Sequence, residues 1–210
     1  MTDQDILTQM QYALIETPDG GLTVESGLWT TDEFIDAINT AQLWVVREAR
    51  PVLTRTTIAT VPSQPRYQLP QTWIQTQRVT WETSDGTIVE LPRDSSWSAD
   101  SLDPDWTFEL AQVPFVYTDF DTPVPALQVM PASWDTGWIG LTYIAEPTDL
   151  SNTGVSWTIP DILIPMAKWK ALAILLAKDG RGQDLPRAAR ALQTAEEGMA
   201  AINTFMNGWR

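Results

Sequence analysis

The hydrophobic period changes twice along this chain, and that change most constrains its fold. Apolar residues near both ends recur at helical spacing, whereas the middle holds short runs rich in β-branched and aromatic residues. The order helix, helix, strands, helix, helix predicts an α+β fold. We expect an antiparallel helical bundle of N- and C-terminal helices (1–54 plus 160–210). We expect an inserted antiparallel β-rich region, a sandwich or half-barrel, at 55–159.

Start and stop signals bound the predicted helices. Apolar residues lie at intervals of four within residues 2–16. Thr30-Thr31-Asp32-Glu33 has the pattern of a capping box, in which a threonine side chain and Glu33 satisfy each other's backbone amides. The helix that follows should end near Pro51, because the residue before a proline is pushed out of the helical region. Two further helices are predicted to open at Pro160-Asp161 and near Pro186.

The clearest strand signal is a hairpin. The runs RVTWE (78–82) and TIVEL (87–91) flank Asp85-Gly86, a pair typical of tight turns between strands. Similar short runs occur before and after this hairpin, bounded by proline, glycine and aspartate. Strands at this spacing favour an antiparallel arrangement.

Composition excludes several kinds of chemistry. The chain has 210 residues, 43% of them hydrophobic, and contains neither cysteine nor histidine. Disulfide scaffolds, the usual structural zinc sites and catalysis by Ser-His-Asp or Cys-His are therefore excluded. All three lysines lie in one stretch, 168–178, which argues against a serine–lysine pair. The longest apolar run, 171–177, is too short for a membrane span, and the N-terminus lacks signal-peptide features. An enzyme of this composition would have to rely on carboxylates, lysine, tyrosine or a hydroxyl. We expect no cofactor, no metal and no membrane contact.

Charge is divided unevenly along the sequence. The formal net charge is −14, with −13 in residues 82–161 and +3 in residues 162–210. Such acidity opposes binding to a phosphate backbone, but it suits a protein that DNA passes without sticking. A small basic cluster near the C-terminus is compatible with a helix terminus that faces an acidic neighbouring subunit; its members are Lys178, Arg181, Arg187 and Arg190.

One segment, 95–110, resembles a sugar site. It places two tryptophans among carboxylates: Trp97 and Trp106, with Asp100, Asp103, Asp105 and Glu109. Two carboxylates are the acid and base of a glycosidase, and tryptophan faces stack on sugar rings. The alternative is an acidic surface loop whose tryptophans lie on a sheet beneath it, and we favour this reading. The aspartate spacing departs from that of a calcium-binding EF-hand loop.

Tryptophan is abundant, with eleven in the whole chain. Carbohydrate-binding modules are rich in tryptophan, but so are proteins with large permanent interfaces. Because most of these rings fall on predicted strands or amphipathic helices, a core or interface role is favoured.

Five stretches in order resemble the head–tail adaptor (connector) proteins of tailed bacteriophages. They begin with WTTDEFIDAINTAQLWVVREARPVL and end with IPDILIPMAKWKALAILLAKDG, and they lie at 29–53, 56–82, 102–117, 127–147 and 160–180. The likeness is strongest from Tyr67-Gln68-Leu69-Pro70 to Arg78-Val79, and covers most of 29–205. The first 28 residues and the terminal NGWR contribute little to it.

The resemblance implies a structural role without enzyme activity, in a virion assembled in the host cell cytoplasm. Members of that family form a ring, typically of twelve copies, beneath the portal protein. Their helical parts pack side by side, their C-terminal region docks on the portal, and their β-rich part faces a tail or nozzle protein. DNA passes through the ring without specific binding.

The resemblance also implies two sets of candidate residues. Candidates for portal docking or contacts between subunits are Met199, Phe205, Met206, Trp209 and Arg210. Acidic candidates for a surface facing the channel or the tail are Asp100, Asp103, Asp105, Asp119 and Asp121. Two alternatives stay open: another tail-completion protein, or a tryptophan-rich carbohydrate-binding or carboxylate-dependent glycosidase module.

Overall fold

A computed structural model describes most of the chain. The described residues are 3–14, 28–51, 53–102, 104–120, 123–150, 157–180 and 182–207. The chain divides into two compact units: unit 1 is Met1–Val52 with Glu146–Arg210, and unit 2 is Leu53–Ala145. Helices and mainly antiparallel sheets together confirm the predicted α+β class.

The described residues form five α-helices and nine strands. The helices are α1 (Asp3–Leu14), α2 (Thr31–Ala49), α3 (Ser96–Leu102), α4 (Ile164–Ala177) and α5 (Leu185–Asn207), and a 3-10 turn at Asp161–Leu163 precedes α4. The strands are β1 (Leu53–Ala59), β2 (Arg66–Gln68), β3 (Trp73–Thr83), β4 (Ile88–Leu91), β5 (Leu110–Ala111), β6 (Val116–Phe120), β7 (Ala126–Met130), β8 (Ala132–Ser133) and β9 (Gly137–Ala145).

Helix α2 begins at the predicted capping box. The Thr30 hydroxyl accepts a hydrogen bond from the Glu33 amide at 3.3 Å, and a Glu33 carboxylate oxygen accepts one from the Thr30 amide at 2.7 Å. The helix ends at Ala49, where Arg50 takes a left-handed conformation with φ of 52° just before Pro51. Both predicted ends of this helix are confirmed.

Helix α4 lies at the centre of unit 1. It packs against α1, α2 and α5, and its buried residues are distributed around the helix rather than along one stripe. A helix that is apolar on all sides is stable only when neighbouring elements cover it. Two polar contacts reinforce the packing: the Trp29 indole NH donates to the Leu175 carbonyl at 3.1 Å, and Lys178 pairs with Glu33.

The largest sheet of unit 2 has the strand order β1-β9-β3-β4, and neighbouring strands are antiparallel. The predicted hairpin is confirmed as β3–β4, with Gly86 in its turn at φ of +86°. Val79 pairs with Leu141 and Trp81 with Ile139 across β3 and β9, and all four side chains are fully buried. Such cross-strand apolar pairs stabilise the sheet and fix its register.

Two smaller sheets complete unit 2. One has the order β2-β7-β6 with antiparallel neighbours, and the other is a parallel pair of β5 and β8. Leu127, Val129 and Met130 on β7 are fully buried.

A buried carboxylate holds the β3–β4 turn. Asp135 is 9% exposed and accepts hydrogen bonds from the Ser84 hydroxyl at 2.9 Å and the Ser84 amide at 3.3 Å. Its other oxygen accepts from the Thr136 amide at 2.8 Å. The bond from the Ser84 hydroxyl is the main reason that the pKa of Asp135 lies below its usual value.

Replacing the helix cap tests the capping box. Thr30→Ala removes the hydroxyl that accepts from the Glu33 amide, so it should lower the free energy of unfolding by about 1 kcal/mol. Urea denaturation followed by circular dichroism at 222 nm measures this loss. Thr40→Ala, an exposed change inside the same helix, is the matched control and should be neutral or slightly stabilising. Equal losses in both variants would contradict the assignment.

Acid should weaken the turn held by Asp135. Because its pKa is depressed in the folded chain, its contribution is fully present above the unfolded pKa of about 3.9 and is lost as pH falls through the folded value. Asp135→Asn should therefore be less stable than the wild type at pH 7, and the difference should shrink as pH falls below about 4. Urea titrations between pH 7 and pH 3 measure it, with Glu109→Gln as a control in the same unit. If the difference in free energy of unfolding between the wild type and Asp135→Asn stayed constant between pH 7 and pH 3, the Asp135 carboxylate would not be the group that stabilises the turn.

Candidate functional site

The described residues contain neither a cluster of metal-ligating side chains nor a helix that could cross a membrane. No group of three or more Asp, Glu, His or Cys side chains among them is placed to hold a metal ion. Within the same part of the chain, no helix combines the length and the hydrophobicity needed to cross a membrane.

The predicted sugar segment contains a short helix. Residues 94–110 are called the acidic loop below, and α3 occupies Ser96–Leu102 within it. Asp94 accepts from the Ser95 amide and the Ser98 hydroxyl, both at 2.7 Å, and the Ser98 bond is the main reason that the pKa of Asp94 is lowered. The sequence predicted a loop here, which is wrong for these seven residues: aspartate and serine caps, rather than apolar periodicity, open the helix.

Trp106 anchors the acidic loop. Its ring is 8% exposed and packs with Val116 and Met130, with Phe115 beside them. The indole NH donates to a carboxylate oxygen of Asp100 at 2.7 Å. The expectation that a tryptophan pins this loop is confirmed for Trp106.

Trp97 and Phe108, in contrast to Trp106, are exposed to solvent. They are 79% and 89% exposed, the highest values among the large apolar side chains that the structure describes. The expectation that Trp97 also pins the loop is therefore wrong. Backbone bonds from Phe108 and Glu109 to the Asp105 carbonyl, at 2.8 and 3.1 Å, form the turn that presents Phe108. Since Trp106 is buried, the two tryptophans do not form a joint stacking surface for a sugar.

The acidic candidates occupy different environments. Asp100 is engaged by Trp106, and Asp105 lies exposed in the acidic loop. The Asp119 side chain is 1% exposed and pairs with Arg93, which is 53% exposed. Burial, followed by the charge of Asp119, raises the pKa of Tyr117 to about 12. Asp103 and Asp121 lie outside the described residues.

The C-terminal candidates lie on or beyond α5. Met199 is 3% exposed and belongs to the core of unit 1, whereas Phe205 is 63% exposed. Met206 is part of α5, but its side chain lies outside the described part of the chain, as do Trp209 and Arg210.

Unit 1 also carries a groove that sequence reasoning missed. It encloses about 520 Å³ and is called the basic groove below; its lining residues are Ala13, Trp169, Leu172, Leu176, Arg187, Arg190, Ala191 and Thr194. An Arg187 guanidinium nitrogen donates to the Ala13 carbonyl at 2.6 Å, which connects α5 to the end of α1. The sequence showed the arginines of this cluster, but it gave no sign that apolar side chains of α4 lie beside them.

Two tryptophans of the acidic loop provide a matched pair for mutation. Trp106→Ala removes a buried ring and its hydrogen bond, so it should lower the free energy of unfolding of unit 2 by about 3–5 kcal/mol. Trp97→Ala removes the same side chain from an exposed position and should change that energy by about 0.5 kcal/mol or less. Urea denaturation of each purified variant measures the two losses. Similar losses would show that the environments of the two rings are not as described.

No curated protein matches the chain. A structure described as the neck of an empty GTA particle, computed with C6 symmetry, contains a chain that is 13% identical, with 94% of this chain and 91% of that chain covered and a TM-score of 0.29. At that score the likeness adds no support. The model of the SU10 adaptor protein family matches residues 1–208. The chain therefore belongs to the SU10 adaptor protein family, as its resemblance to phage head–tail adaptors predicted, and it is a structural component of a virion.

Proposed function

We propose that this chain is one subunit of an adaptor ring that joins the portal to the tail and surrounds part of the DNA channel. The observation that carries the proposal is the family match, which spans residues 1–208 and therefore both units. The role requires a folded chain with large contact surfaces and no reaction chemistry. We accordingly propose that it has no enzyme activity and no cofactor.

Exposed aromatic side chains support an assembly role. In unit 2, four of them are at least half exposed: Trp97 (79%), Phe108 (89%), Trp134 (53%) and Trp138 (50%). Large apolar side chains in water mark surfaces that a partner covers, and tryptophan is enriched where interfaces are strongest. A ring subunit has neighbours that cover such side chains permanently.

Electrostatics support the passage of DNA. Residues 82–161 carry a net charge of −13. Three of the acidic candidates are described: Asp100 and Asp105 are exposed, whereas the Asp119 side chain is 1% exposed and paired with Arg93, so it does not contribute to such a surface. Like charges repel DNA phosphates, and at physiological salt this repulsion extends about 8 Å. A wall of this kind keeps DNA from sticking, because it offers few cations to displace phosphate counterions.

In this proposal the helical and the β-rich residues make different contacts. The helical residues, 1–54 plus 160–210, pack side by side in a ring of about twelve copies, the number that the family resemblance implies. Phe205, Met206, Trp209 and Arg210 contact the portal or a neighbouring subunit. Met199 is buried within its own subunit and contributes to the packing of α5. The β-rich residues, 55–159, face the tail or nozzle protein. Assembly takes place in the host cell cytoplasm.

Native mass spectrometry tests the ring directly. The purified chain is measured alone and after mixing with the portal protein encoded by the same genome. We expect a complex in which many copies of this chain are bound to one portal ring, because docking sites on the portal repeat with its symmetry. A chain that stays at monomer mass in both samples would overturn the proposal.

A further inference from the structure

We propose that the acidic loop of one subunit docks into the basic groove of the neighbouring copy, and that this contact closes the adaptor ring. The inference rests on the proposed function, since it requires neighbouring copies. It goes further by naming the two surfaces that meet. It assigns the acidic loop, with Asp100 and Asp105, to the contact between copies rather than to a surface facing the channel or the tail.

The basic groove combines an apolar floor with a cationic rim. Leu172 and Leu176 of α4 and Ala191 of α5 form its floor and are each 2–4% exposed. The surface that a partner can reach comes mainly from the half-buried Trp169 and from the exposed Arg187 and Arg190. Its volume of about 520 Å³ falls in the range of pockets that hold bulky groups. Arg187 is already engaged by the Ala13 carbonyl and, at 3.8 Å, by Asp184.

The positive charge of Arg190 is not balanced by a paired carboxylate in the described part of the chain. Arg190 forms no ion pair with another residue in the described part of the chain. Its guanidinium therefore lies beside apolar side chains with no carboxylate paired to it there, which favours an acidic occupant of the groove.

The acidic loop has the complementary character. Trp97 and Phe108 project from it into solvent, and they are the most exposed large apolar side chains of the described residues. The loop contains five acidic residues and no basic one. Trp106 holds it on the sheet, so little conformational freedom is lost when the exposed rings are covered.

A second copy of the chain is the occupant that these features favour. The acidic and the basic surface belong to the same chain, so every copy offers what its neighbour accepts. Because the two surfaces differ, the contact is head to tail, and a head-to-tail contact forms a ring when its rotation closes. Apolar rings would meet an apolar floor while carboxylates approach the arginines of the rim.

Cysteine cross-linking between two single variants tests this contact. The chain has no cysteine, so each introduced thiol is unique. Thr107→Cys places a thiol in the acidic loop of one chain and leaves the Phe108 ring in place, and Thr194→Cys places one in the basic groove of another. The two variants are mixed in equal amounts, assembled with the portal protein and oxidised gently. A covalent heterodimer on a non-reducing gel can arise only between chains.

Ala189→Cys replaces Thr194→Cys as the matched control. Ala189 is exposed on the same helix but lies about 140° around it from Thr194, so its thiol points away from the basic groove. We expect the heterodimer with Thr194→Cys and not with Ala189→Cys. A ring that forms without the Thr194 heterodimer, or with equal cross-linking to both positions, would overturn this inference while leaving the proposed ring intact. Absence of both ring and heterodimer would overturn both proposals.

Alanine substitution measures the strength of the same contact. Phe108→Ala should raise the concentration needed for half-maximal ring formation on the portal by about 30-fold or more, the effect of losing one strong interface residue.

The same assay at low and high salt should show weaker assembly at high salt, because screening reduces the attraction between the acidic loop and the arginines of the basic groove. An unchanged midpoint for Phe108→Ala would contradict the docking.

Discussion

The antiparallel pairing of β1 with β9 is the interaction on which the organisation of the chain depends. Leu53, the first residue of unit 2, pairs with Ile144, one residue before its end, so the chain leaves and returns side by side. The middle of the sequence can therefore form a separate unit while both ends contribute to unit 1. On its other edge β9 pairs with β3, where Trp81 and Ile139 are buried together. Loss of β9 would separate β1 from β3, and it would also remove the pairing that brings the two ends of unit 2 together.

The acidic loop shows how the fold creates a surface suited to assembly. One ring, Trp106, is buried and joined to Asp100, and this anchor leaves Trp97 and Phe108 in solvent. Exposure of these rings to water is unfavourable in the isolated chain. We therefore interpret them as part of a surface that a partner covers. The negative charge around them disfavours direct contact between the acidic loops of two copies, because like charges repel. Specific pairing then requires a cationic surface such as the basic groove.

Local signals in the sequence predicted local structure well. The capping box at Thr30–Glu33 and the turn at Gly86 need only a few neighbouring residues, and both are confirmed. The seven-residue helix α3 was missed because serine and aspartate caps open it without an apolar stripe. Trp97 and Trp106 differ in burial because of contacts between residues far apart in the sequence. Val116 and Met130 pack against the ring of Trp106, whereas Trp97 is exposed. The basic groove was missed for the same reason, since its lining residues come from α1, α4 and α5, which are far apart in the sequence.

Hydroxyl-radical footprinting of the ring assembled on the portal tests the central claim most directly. Oxidation of aromatic side chains, read by mass spectrometry, reports their exposure before and after assembly. The account predicts that Trp97 and Phe108 react strongly in the isolated chain and become protected in the ring. Trp106, which is 8% exposed in the isolated chain, should react weakly in both states. Trp97 and Phe108 that react equally in the two states would contradict the account.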